Sequence, residues 1–363
     1  MNRRHFLQWS LAMGLTSQVR AADLPDGLDD ADKVLKQATA NGQVKSATLH
    51  VRRKGNAVTR AYGNGTSPDS MFLLGSISKP ICVTALMRLY DQNEFRLDDK
   101  LSKYLPKFTS NGRESVTLRH VLTHTSGLPD QLANNAELRR SHAELDKFVE
   151  YAQQAPLSFK PGSDYQYSSM GILLATHVAE LLTGKDILSL VDDTVFQPLK
   201  MEHSAQGLGR FSLDDMVLAQ TEFAAPESGS GDPTAKNWDW NSHYWRKLGA
   251  PWGTTHCSAP DVAKFLSEYL FLNGTVLKPE TAKLVRTNQN PAGIKPRGIG
   301  FDIGSRLGGD GCSEETFGHT GSTGTLAWAD PTTETIFVVL TSLPGRAVTP
   351  HPRQLASAAI ATK

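Results

Sequence analysis

The sequence predicts an α+β fold: an antiparallel sheet assembled from both ends of the chain, with helices on its faces and a helical lobe inserted between its two halves. Strand-like runs cluster before residue 63 and after residue 297, whereas residues 97–250 read mostly as helices joined by long loops. The 363 residues carry 39% hydrophobic side chains, enough for one large core, and no internal repeat or long low-complexity tract divides them. One elaborated domain over residues 22–363 is expected, its sheet parts at about 22–96 and 251–363.

An amphipathic helix is expected near Ala31–Ala40. Ala47–Arg52 and Ala57–Tyr62 alternate as strands around Lys54-Gly55-Asn56, a hairpin signal. A helix then follows Ser76, with Ile81, Cys82, Ala85, Leu86 and Leu89 forming an apolar stripe that implies burial. In the lobe, helical patterns cover Leu118–His124, Ala143–Gln153, Gly171–Leu182 and Ile187–Phe196. Ser258-Ala259-Pro260-Asp261 is a helix start for Val262–Phe271. Gly298–Ile303, Thr325–Ala329 and Ile336–Thr341 read as strands, and Gln354–Ile360 as a closing helix.

The first residues predict a location. Asn2-Arg3-Arg4-His5-Phe6-Leu7-Gln8 resembles a twin-arginine export signal, and Val19-Arg20-Ala21 supplies small residues for cleavage. Residues 1–21 are therefore expected to be removed, leaving a periplasmic or secreted protein whose formal charge falls from +1 to −2. No run is long and apolar enough to span a membrane, and nothing in the charge pattern indicates a nucleic-acid partner. Three cysteines (Cys82, Cys257, Cys312) cannot form a disulfide framework; Cys82 is expected in the core behind Ser76, and pairing of Cys257 with Cys312 stays open.

Ser76-Ile77-Ser78-Lys79 carries the chemistry. A serine becomes a nucleophile when a base takes its proton, and a lysine three residues on in a helix lies on the same face. Burial of that helix disfavours the ammonium and turns Lys79 into a usable base. Two further stretches accompany it: Tyr165-Gln166-Tyr167-Ser168-Ser169 before an apolar helix, and Phe317-Gly318-His319-Thr320-Gly321-Ser322 before a strand.

In this order, and with His120-Val121-Leu122-Thr123-His124-Thr125-Ser126-Gly127 between them, the stretches resemble the serine beta-lactamase-related family, in its class C, penicillin-binding-like esterase and D-peptidase branch. The resemblance runs from about Val51 to Ser342. It implies a transpeptidase-like α-β-α sandwich and an acyl-enzyme mechanism. Ser76 is then the nucleophile, and Lys79 its proton acceptor or the group that tunes it. Tyr167 acts as general base toward Ser76 or toward the deacylating water, preferred over Tyr165 because Tyr167-Ser168 leads directly into the helix. His319 is the third-motif residue, and the backbone N–H groups of Ser76 and Ser322 form the oxyanion hole. Ser169, Thr320 and Gly321 would contact substrate. Two departures mark this chain: Ser169 stands where the family often has Asn, and His319 where lactamases of this branch often carry Lys. Both weaken recognition of an amide and a carboxylate, which favours esters over beta-lactams.

The expected function is an exported serine hydrolase acting on esters or D-amino-acid-containing peptides, small molecules or short peptides in either case. A beta-lactamase or D-alanyl-D-alanine carboxypeptidase is the alternative within the family; a non-catalytic cell-wall or partner-binding protein on the same fold is the alternative outside it. No Gly-x-Ser-x-Gly occurs, which excludes an α/β-hydrolase. No cofactor or metal is expected: His120 and His124 lack a third ligand and read as packing residues. Trp238, Trp240, Tyr244, Trp245 and Trp252 read as lobe packing, with a loop roofing the cleft as the other possibility.

Overall fold

The computed structural model describes residues 26–362, so the export signal expected at residues 1–21 lies outside the described residues. Helix α1 (Leu28–Ala40) leads into β1 (Ala47–Arg53) and β2 (Asn56–Tyr62). Their connection is the two-residue turn Lys54-Gly55, with φ of 47° and 89°. Positive φ at both positions matches the natural twist of a hairpin, which is why a glycine stands there. β3 (Phe72–Leu73) and α2 (Ser78–Asp91) follow; the lobe holds α3 (Leu118–Leu122), α4 (Asn135–Arg140), α5 (Leu145–Gln154), α6 (Ser169–Thr183), α7 (Ile187–Val191), β4 (Ser204–Gln206) and α8 (His243–Lys247). The chain closes through β5 (Thr255–Cys257), α9 (Ala259–Phe271), α10 (Pro279–Val285), β6 (Asp302–Ile303), β7 (Phe317–Gly321), β8 (Thr325–Asp330), β9 (Thr335–Thr341) and α11 (Pro352–Ala361).

The main sheet runs β2-β1-β9-β8-β7-β6, all antiparallel, so strands from both chain ends meet where Val51 faces Phe337 across β1 and β9. β9 reads Thr-Ile-Phe-Val-Val-Leu-Thr without polar alternation because both of its faces are covered. Ile336, Val338 and Leu340 join the larger core with α2, α6 and α9, whereas Phe337 and Val339 join Leu35, Ala31, Ala356 and Ile360 of α1 and α11 on the other face. Trp328 belongs to the second layer, and its indole donates to Ser357 Oγ at 2.8 Å, locking α11 onto the sheet. Helix α2 is buried well beyond one stripe, with Arg88 its one exposed residue, since it runs between sheet and lobe.

Two expectations are corrected. Gly298–Ile303 is not one strand: only Asp302–Ile303 pair with β7, because Gly298 N–H closes a turn on Phe301 and Gly300 (φ 81°) lays its backbone against Pro80 and Val83. A Cβ at Gly300 would stand 3.3 Å from Pro80 Cα, so the glycines here serve a close backbone approach rather than a strand. The third motif precedes a strand as expected, β8, and itself forms another, β7. The middle of the chain also contributes a strand, since β4 pairs with β5, and β5 with β3, in a small second sheet. All three cysteines are free and buried; Cys257 packs in the larger core and Cys312 in the second, on opposite faces of the main sheet.

Candidate active site

A single 3₁₀ turn, Gly75–Ile77, carries Ser76 into α2. In 3₁₀ geometry residues three apart eclipse one another, which brings Lys79 directly over Ser76. Lys79 Nζ lies 3.0 Å from Ser76 Oγ and donates to the Trp252 carbonyl at 3.1 Å. Lys79 is fully buried, and burial is the largest influence on it, pulling its pKa down to about 7. Asp130 pushes back and Arg297 adds to the fall. An amine with that pKa holds a lone pair at neutral pH and can take the Ser76 proton.

Tyr167 closes the other side. Its ring lies 4.8 Å from Lys79 Nζ, and its buried hydroxyl lies toward Ser76 without completing a hydrogen bond. Burial raises the phenol far above its ordinary range, so it stays protonated. His124 positions this tyrosine: its Nδ1 accepts from Ser168 N at 3.2 Å and its ring packs 4.6 Å from that of Tyr167. His120 meanwhile caps α3 through a reciprocal bond pair with Thr117. The two imidazoles thus do packing and capping work. Tyr165 also borders the cavity, but its ring faces Lys295 at 4.8 Å.

The third side comes from the turn between β7 and β8. Gly75 (φ 58°) makes the approach possible, since a Cβ there would stand 3.1 Å from Ser322 N and 3.0 Å from Thr323 Oγ1. Thr323 and Thr325 hydroxyls donate to the Leu73 and Leu74 carbonyls at 2.6 Å each, clamping this turn to the segment that leads into the Ser76 turn. The Ser76 and Ser322 backbones are therefore neighbours, the arrangement two oxyanion donors require.

His319 is held neutral. Its Nδ1 donates to the Thr320 carbonyl at 2.6 Å, which leaves Nε2 to accept from Arg297 Nη2 at 2.9 Å. Burial, eased by Asp302, lowers its pKa to about 3. Arg297 is itself buried and bridges His319, Asp302 and the Gly300 carbonyl. Ser169 borders the cavity, yet its hydroxyl donates to Asp130 Oδ1 at 2.5 Å, so it offers a substrate only lone pairs. Thr320 and Gly321 border the cavity as well.

These groups open on a cavity of about 550 Å³. Trp240, Trp245 and Trp252 form part of its wall while remaining buried, so the aromatic cluster both packs the lobe and shapes the cleft. Asp130, Arg297 and Asp302 carry electrostatic weight that no sequence motif announced; the Pro129-Asp130 step three residues past the His124-Thr125-Ser126-Gly127 turn was the one available hint for Asp130. Among the described residues no cluster of three metal-ligating side chains occurs, and no helix is long and apolar enough to cross a membrane.

The chain is similar to known proteins in sequence and in fold. Over 202 residues the chain is 35% identical to esterase EstB of Burkholderia gladioli, covering 50% of this chain and 51% of that one. The chain spans about half the length of the curated relatives it matches. Its fold matches the solved structure of EstCE1, a hydrolase with promiscuous acyltransferase activity, at a TM-score of 0.73 and 22% identity, covering 92% of this chain and 98% of that one. D-amino acid amidase from Ochrobactrum anthropi SV3 matches at 0.73 and 20% identity, with 93% and 99% covered. The Beta-lactamase family model matches residues 31–360, and the chain belongs to that family.

Proposed function

We propose that this chain is a serine hydrolase that cleaves carboxylic esters through an acyl-enzyme on Ser76. The observation that carries the reading is a hydroxyl 3.0 Å from a buried amine whose pKa has fallen to about 7. In this reading Lys79 takes the Ser76 proton as Oγ attacks the ester carbonyl carbon. The carbonyl oxygen becomes an oxyanion facing the N–H groups of Ser76 and Ser322. Collapse breaks the carbon–oxygen ester bond, and the proton passes from the Lys79 ammonium by way of the Tyr167 phenol to the departing alkoxide. Water then repeats the sequence and frees the acid. The phenol works as a relay rather than a phenolate base, because burial keeps it protonated.

Esters are preferred over beta-lactams for two local reasons. His319 is a neutral imidazole engaged on both ring nitrogens, and the Ser169 proton is committed to Asp130. The fixed cation at the third-motif position and the amide at the second, which a lactam's carboxylate and amide would use, are both replaced. The cost, roughly 2–4 kcal/mol of transition-state binding, corresponds to about thirty- to a thousand-fold in kcat/KM. Ester hydrolysis by EstB, as its name states, supports this choice. The test compares kcat/KM for p-nitrophenyl butyrate and for nitrocefin on one preparation. The ester value should be the larger by that factor; an equal or larger value for nitrocefin would restore the lactamase reading.

A further inference from the structure

Arg139, on α4, is 1% exposed and borders the catalytic cavity. Its Nη1 donates to the Glu227 carbonyl at 2.8 Å and to Ser228 Oγ at 3.1 Å, whereas Nε and Nη2 are buried with no hydrogen-bond partner. The guanidinium makes no ion pair among the described residues; the carboxylates of Glu227 and Asp239 act on it only from a distance. Burial draws its pKa to about 10, so the charge persists at neutral pH. A buried charge with unmade hydrogen bonds is costly for the fold to keep, and an anionic ligand relieves that cost.

The surroundings indicate the shape of such a ligand. Lys79, in contact with Ser76, donates to the Trp252 carbonyl; the Trp252 ring packs 6.1 Å from Trp245, and the Arg139 guanidinium lies 3.7 Å from the centre of the Trp245 ring. One cavity wall therefore runs from the nucleophile along two indoles to an unpaired cation. Indole faces suit a short methylene chain, and a guanidinium suits a carboxylate at its end. We propose that Arg139 determines specificity by binding the terminal carboxylate of a dicarboxylic acid monoester, whose ester carbonyl sits at Ser76 and whose acyl chain lies along Trp252 and Trp245. The charge stays bound on the acyl side through both acylation and deacylation. This rests on the acyl-transfer reading of Ser76.

The experiment compares two esters that differ only in the terminal carboxylate end of the acyl chain, p-nitrophenyl butyrate and mono-p-nitrophenyl glutarate. Wild-type enzyme should turn over the glutarate ester at least tenfold better in kcat/KM, the scale of one charge-assisted hydrogen bond. Arg139→Gln should bring the ratio of glutarate to butyrate kcat/KM down to about one, and Arg139→Lys should keep part of the preference. In parallel, free glutarate and free butyrate are titrated against wild-type tryptophan fluorescence, which Trp245 beneath the guanidinium reports. Glutarate should act at a concentration at least tenfold below butyrate. Equal response to the two acids, or equal kcat/KM for the two esters in the wild type, overturns the proposal without any variant having to fold. Inertness toward both esters contradicts the esterase reading alone, and the fluorescence titration then still decides the role of Arg139.

Discussion

Lys79 concentrates the chemistry at the scale of single residues. In the proposed reaction its neutral form is the base, so kcat/KM for a neutral ester should fall about tenfold per pH unit below a limb near pH 7 and level off above it. The charges around it set where that limb lies. Arg297 disfavours the ammonium, so Arg297→Gln should move the limb to higher pH; Asp130 favours it, so Asp130→Asn should move the limb to lower pH. Opposite displacements in a stopped-flow or steady-state pH series are the expected outcome. A limb that stays in place in both variants, or shifts the same way, contradicts the assignment of Lys79 as base. Ser76 and Lys79 were legible because their partnership is local, three positions on one turn. Asp130, Arg297 and Asp302 were not, because their influence exists only after α6, the lobe and β6 are brought to one point.

At the scale of elements, the site depends on how closely the β7–β8 turn approaches the 3₁₀ turn of Ser76. Gly75 at φ 58° is the contact point. Alanine there takes on about 1–2 kcal/mol of left-handed backbone strain and sets a methyl 3.1 Å from Ser322 N. Gly75→Ala should therefore lower urea-derived stability by about that amount and reduce kcat at least tenfold, because one oxyanion donor is displaced. Unchanged kcat in a folded variant would show that Ser322 does not serve the reaction. The hairpin of β1 and β2 was readable from Lys54-Gly55 and from alternation, and α6 from its apolar run. The small sheet of β3, β4 and β5 was not: its strands are two or three residues long, below the length at which alternation is visible. Gly298 and Gly300 misled in the opposite direction, since glycines flanked by Ile299 and Phe301 look like a strand while their backbone is folding onto α2.

At the scale of the whole molecule, three bodies meet at the cavity. The sheet and its β7–β8 turn supply His319 and Ser322, the lobe supplies Tyr167 and Asp130, and α2 with the 3₁₀ turn leading into it supplies Lys79 and Ser76. The architecture was readable because strands at both chain ends can satisfy their edges only by pairing with each other, as β1 and β9 do. The neutral state of His319 was not, since it depends on Arg297, twenty-two positions away, presenting its guanidinium inside the core. The claim on which everything else rests is that Ser76 is the nucleophile. Its most direct measurement is intact-mass spectrometry after exposure to a fluorophosphonate, followed by peptide mapping. One adduct per chain on the peptide containing Ser76, with neither adduct nor ester turnover in Ser76→Ala, is the result expected; an adduct on another residue, or turnover that survives in the alanine variant, would contradict it.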